Sequence, residues 1–84
     1  MSIPFDTLTA QYPTPFYVFD RAGFADNYTA LRGAMRAVYP KYEICYSYKT
    51  NYTPYICRLV KELGGYAEVV SDMEYTLARK LGYE

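Results

Sequence analysis

Apolar and polar positions alternate with two different periods along this chain, and the changes of period mark its elements. The first fifteen residues hold Pro4, Pro13 and Pro15 and show no period. Proline fixes its own φ and pushes the preceding residue toward extended geometry, so residues 1–15 read as an extended arm. Phe16-Tyr17-Val18-Phe19 is aromatic and β-branched, apolar on both faces, and reads as a short buried strand. Asp20 can cap a helix starting at Arg21. From Arg21 to Val38, Phe24, Tyr28, Leu31, Met35 and Val38 recur in steps of three and four, the stripe of an amphipathic helix that Pro40 closes. Tyr42–Tyr48 returns to a period of two. Glu43, Cys45, Ser47 and Lys49 fall on one face, and Ile44, Tyr46 and Tyr48 on the other. Thr53-Pro54 opens a second helix with Ile56, Leu59, Val60 and Leu63 as its stripe, and Gly64-Gly65 stops it. Tyr66–Val70 reads as a third strand. Ser71 and Glu74 have the spacing of a capping box, and the helix behind them carries Met73, Leu77 and Leu81 before Gly82.

Strands alternating with helices imply an α/β fold with right-handed βαβ units and a parallel sheet. Such a sheet needs cover on both faces. Two βα units leave open edges and a small core. Eight of them close a barrel with about 250 residues, whereas this chain has 84. The expected reading is therefore the front portion of a larger fold.

Charge and composition narrow the function classes. Nine basic and nine acidic side chains balance to zero, which leaves no electrostatic footprint for nucleic acid or anionic lipid. No apolar run is long enough for a membrane-spanning helix. The first ten residues lack the charged and apolar regions of a secretory signal, and a cytoplasmic setting with reduced thiols is expected. Two cysteines and no histidine make a zinc site or a His-dependent nucleophile within this chain improbable. Twelve tyrosines suit half-buried packing, or else the surface of a non-enzymatic interaction domain.

Lys49 is the first candidate for chemistry. It ends a strand, and α/β proteins gather their chemistry at strand C-termini. A lysine held there by apolar walls can act as an amine nucleophile or base; an ordinary solvated lysine is the plain alternative. Glu68 is a carboxylate inside an otherwise apolar strand and requires solvent or a partner. Glu74 is already explained by the capping box. Cys45 and Cys57 read as packing residues.

Three segments in order carry a family resemblance. They are Thr14-Pro15-Phe16-Tyr17-Val18-Phe19-Asp20, then Tyr46-Ser47-Tyr48-Lys49-Thr50-Asn51, then Gly64-Gly65-Tyr66-Ala67-Glu68-Val69-Val70-Ser71-Asp72-Met73-Glu74. The middle one looks like a Tyr-x-x-Lys-x-Asn motif and the last like Gly-x-x-Asp-Val-x-Ser-x-x-Glu. Together they resemble the ornithine/diaminopimelate decarboxylases, pyridoxal-phosphate enzymes of fold type III built on an alanine-racemase-like barrel.

That resemblance implies the N-terminal part of a (β/α)8 barrel preceded by one strand of a β-domain. Residues 1–15 would be the arm, 16–40 the β-domain strand plus linking helix, and 41–84 the first two βα units of the cofactor-binding barrel. Lys49 would form the Schiff base with pyridoxal 5′-phosphate, and once freed could donate or accept a proton. Glu68, standing where the family usually has Asp, would lie by the cofactor. Glu74 would both cap its helix and contact the site. Thr50 replaces the usual Ala or Cys. The substrate would be a basic or diamino acid of the diaminopimelate, lysine or ornithine type, and the whole enzyme a homodimer. The family's ring-stacking histidine, glycine-rich phosphate loop and acidic partner of the pyridine nitrogen lie further along such a chain, so these residues alone are expected to be inactive. A racemase or a cofactor-carrier protein of the same barrel is the nearest alternative.

Overall fold

The computed structural model describes residues 3–84, so Met1 and Ser2 of the expected arm lie outside the described residues. The chain runs α1 (Phe5–Gln11), α2 (Arg21–Val38), β1 (Cys45–Ser47), α3 (Pro54–Glu62), β2 (Tyr66–Glu68) and α4 (Asp72–Lys80). β1 and β2 pair in parallel, with Cys45 opposite Tyr66, Tyr46 opposite Ala67 and Ser47 opposite Glu68. Tyr48 N–H extends the ladder by one rung, donating to Glu68 O at 3.0 Å. The α/β alternation expected from the period changes is present as a β1–α3–β2–α4 unit.

The sheet has two unlike faces. Tyr48 and Cys57 are fully buried and meet Ala78 of α4. Tyr46, Ala67, Val69, Leu77, Leu81 and Tyr83 pack around them. This is the side covered by α3 and α4. Cys45, Tyr66 and Val70 have the opposite parity and are exposed. Burial holds the phenols of Tyr46, Tyr48 and Tyr83 and the thiol of Cys57 above their ordinary pKa values, because the covered face disfavours the charged form.

α2 begins as expected, with Asp20 Oδ1 accepting from Gly23 N–H at 2.9 Å. Its first half docks beside α3. Phe19 stacks edge-on to Tyr55, and Arg21 bridges Tyr55 and Glu62. Tyr28 is buried where β2 starts: a methyl group on Gly65 would lie 2.7 Å from its hydroxyl and 2.8 Å from Val60 Cγ1. Only a residue without Cβ lets the helices and the strand approach this closely. Beyond Tyr28 the helix is held by charge. Arg36 pairs with Glu43 and donates to Tyr42 O at 2.9 Å, and Arg32 lies 3.8 Å from the same carboxylate.

Several expectations are corrected. The arm is not extended throughout, since Phe5–Gln11 is helical. The stretch between Pro4 and Pro13 is free of proline, and Thr9 Oγ1 bonds back to Asp6 O. Phe16–Phe19 forms no strand among the described residues. A β-prone tetrapeptide becomes a strand only when another strand satisfies its backbone. The two paired strands are shorter than Tyr42–Tyr48 and Tyr66–Val70, because pairing stops where either partner bends away. The distal α2 stripe is uncovered, with Leu31, Met35 and Val38 exposed. On α4, Leu77 and Leu81 pack inward as expected, and Met73 does not. Glu74 and Ala78 are buried and Met73 is exposed, because the cap pulls Glu74 back toward the strand end.

Candidate functional site

Both strands run the same way, so one end of the sheet collects two strand C-termini and the N-termini of α3 and α4. Ligand sites in open parallel sheets lie at this end. Lys49 stands there, exposed, one residue past the last ladder rung.

The loop that carries Lys49 is tied at both ends. Before it, the fully buried Tyr48 side chain and the Tyr48 N–H fix the strand end. After it, Thr50 N–H and Thr50 Oγ1 both donate to Ser47 O, at 3.3 and 2.7 Å. Tyr46 Oη closes the loop by donating to Asn51 O at 2.8 Å. Asn51 Oδ1 then accepts from Thr53 N–H at 3.1 Å and from Thr53 Oγ1 at 2.7 Å, which turns the chain into α3. The outer members of Tyr-x-x-Lys-x-Asn thus hold the lysine's loop. These positioning roles of Tyr46 and Asn51 were not assigned from sequence, although the asparagine's turn-forming habit signals one of them. Thr53 does not cap α3 with its own side chain, since its hydroxyl is engaged with Asn51.

Glu68 is half-buried at the end of β2, in register with Ser47. Partner residues in a parallel ladder send their side chains to the same side. Ser47 and Glu68 therefore share the face opposite Tyr46 and Tyr48, and Lys49 follows in the turn that Thr50 closes onto Ser47. Among the described residues no hydrogen bond or ion pair joins Glu68 to Lys49. Ser47 Oγ is sealed from solvent without a hydrogen-bond partner.

Glu74 is 5% exposed, and its carboxylate is saturated locally. Oε1 accepts from Val70 N–H at 3.3 Å, Oε2 accepts from Ser71 Oγ at 3.0 Å, and Glu74 N–H donates back to Ser71 Oγ at 3.2 Å. The reciprocal cap reaches Val70, one residue beyond the usual N-cap amide. It fixes the β2–α4 corner beside the site.

An amine on an open strand end suits an aldehyde ligand such as that of pyridoxal phosphate. Gly64-Gly65 does not suit its phosphate. Their N–H groups already donate to Lys61 O and Val60 O, and they lie at the opposite end of β2. Gly64 has φ of 90°, as a helix stop requires. Cys45 is exposed, Cys57 is buried, and both are free thiols. Among the described residues no group of His, Cys, Asp and Glu side chains could hold a metal ion, and no helix is long and apolar enough to cross a membrane.

Known proteins place these features in context. The chain is 36% identical over 75 residues to the diaminopimelate decarboxylase of Aquifex aeolicus, a match covering 89% of this chain and 17% of that protein. It is 30% identical over 77 residues to the enzyme of the same name from Methanothermobacter thermautotrophicus, covering 92% of this chain and 18% of the relative. With that of Bacteroides thetaiotaomicron it shares 33% identity over 70 residues, 83% of this chain and 18% of the relative. No family model and no solved structure matches the chain. Nearly the whole chain is therefore similar to diaminopimelate decarboxylases, while it spans less than one fifth of their length.

Proposed function

We infer that these residues are the lysine-bearing segment of a pyridoxal-phosphate-dependent amino-acid decarboxylase of the diaminopimelate type. The observation that carries this reading is Lys49: an exposed amine at a parallel strand's C-terminus, on a loop closed by Tyr46 and Asn51, within a chain similar along its length to decarboxylases of that name. The cofactor, when bound, supplies a sink for the electron pair left as carbon dioxide departs.

The chain's own residues do the holding. Lys49 Nζ would hold the cofactor through its aldehyde group, and as a free amine would carry a proton at the site. Glu68, at the end of the neighbouring strand, would orient what is bound there. Glu74 keeps the β2–α4 corner in place through Val70 and Ser71. In this reading residues 41–84 are the first two βα units of a barrel, and Phe16–Phe19 becomes a strand by pairing within a β-domain. The exposed distal stripe of α2 is then covered by the remaining units. The substrate class is a basic or diamino acid, and the full assembly a homodimer.

The test is optical. Pyridoxal phosphate added to the chain is expected to give the absorbance of a lysine-bound cofactor, lost in Lys49→Ala and kept in Lys41→Ala. Equal spectra from the two variants would refute the assignment. The chain by itself is expected to release no carbon dioxide from diaminopimelate, because its described residues offer no phosphate cradle.

A further inference from the structure

Ser47 lies on the sheet face it shares with Glu68, and the proposed function gives it no role. Its Oγ is sealed from solvent and unpartnered, an arrangement that buried hydroxyls avoid. Its backbone carbonyl is already taken by Thr50. The register sets Ser47 directly opposite Glu68, on strands about 4.8 Å apart, with the two side chains on the same side. Along its own strand the same-face neighbour is Cys45, a weak acceptor. Diagonally across lies Tyr66. Glu68 is thus the strong acceptor within reach, and it has three side-chain torsions with which to meet the hydroxyl. Among the described residues its carboxylate has no hydrogen-bond or ion-pair partner.

Resting on the proposed function, we propose that Ser47 is a positioning residue: its hydroxyl donates to the Glu68 carboxylate and holds it toward Lys49. Without that bond the longer Glu side chain is free to swing toward solvent at the open sheet face. With it, the carboxylate is held at the strand end, where it can accept the proton that Lys49 Nζ must lose before it adds to an aldehyde.

Two readouts test this. The first needs no cofactor: the carboxylate carbon resonance of Glu68 in the carbon-13-labelled chain. Ser47→Ala is expected to shift it and Ser47→Thr, which keeps the hydroxyl, to restore it; an unmoved resonance in Ser47→Ala overturns the proposal. The second is borohydride trapping of pyridoxal phosphate, counting label at Lys49 against Lys61 of the same molecule. Ser47→Ala is expected to lower that ratio severalfold in the natural chain and to leave it unchanged in a Glu68→Gln background. An equal loss in both backgrounds overturns the positioning role, as does failure of Ser47→Thr to recover the ratio. Absence of any Lys49 preference in the unsubstituted chain instead overturns the proposed function, while the Glu68 resonance still decides whether the Ser47–Glu68 bond exists.

Discussion

Removing the Glu74 carboxylate should loosen the corner behind the site by an amount the structure allows one to work out. Glu74→Ala deletes two hydrogen bonds to a charged acceptor, from Val70 N–H and Ser71 Oγ. Bonds to charged groups contribute about 1.5–3 kcal/mol each when their loss leaves a partner buried. Val70 and Ser71 are themselves exposed, so water can satisfy part of what is lost and the lower end applies. The expected destabilisation is about 2–3 kcal/mol. A domain of this size has a total stability of order 4–12 kcal/mol, so the loss is a large fraction of it. At roughly 4–8 °C per kcal/mol, the melting temperature should fall by about 10 °C or more. Glu74→Gln keeps the shape and one acceptor oxygen, and should lose only about 1 kcal/mol. Urea unfolding followed by far-ultraviolet circular dichroism measures both, and adding Ser71→Ala completes a double-mutant cycle. Coupling of about 1 kcal/mol between positions 71 and 74 is expected. A Glu74→Ala change within about 0.5 kcal/mol of the natural chain, or no coupling, would refute the reciprocal cap.

Three further outcomes are expected. Gly64→Ala, at φ of 90°, should destabilise by about 1–2 kcal/mol, whereas Gly33→Ala, with open space around its added methyl in the middle of α2, should stabilise by about 0.5–1 kcal/mol; equal effects in a thermal melt would contradict both assignments. Stability should fall as pH rises above about 9–10, because the unfolded chain releases the protons of Cys57, Tyr46, Tyr48 and Tyr83 at their ordinary values while burial keeps them bound in the fold. A urea midpoint unchanged between about pH 8 and about pH 10.5 would argue against that. Glu43→Gln should cost no more than about 1 kcal/mol, and less in high salt, since the carboxylate shared by Arg32 and Arg36 is partly exposed; a larger, salt-independent loss would mean that the α2 clamp is more deeply buried than it stands.

What could be read from the chain before its fold was known follows physical locality. The α2 cap at Asp20, the Pro54 start of α3, the glycine stops and the Ser71–Glu74 box are set within one or two turns, and each appears where the spacing places it. The separation of strand faces was equally legible, because side-chain alternation is a property of the backbone alone. The helical turn at Phe5–Gln11 was hidden by the prolines on either side. Phe16–Phe19 was misread as already a strand because strand propensity expresses a fit to neighbours, and among the described residues no strand lies beside it. The exposed Leu31, Met35 and Val38 show the same limit: a stripe tells which face seeks cover and says nothing of what covers it. At the site, Lys49 was legible from its position at a strand end. Its loop closure was not, because the Tyr46–Asn51 bond depends on the path of the turn.

The central claim, that Lys49 is the anchoring amine, is tested most directly by mapping where pyridoxal phosphate attaches. The chain is incubated with the cofactor, reduced with borohydride and digested, and label is quantified at Lys41, Lys49, Lys61 and Lys80 by mass spectrometry. The structure leads to label concentrated at Lys49, with the other three lysines at the level of the unfolded chain. Label spread evenly over the four lysines, or concentrated at any of the other three, would contradict it.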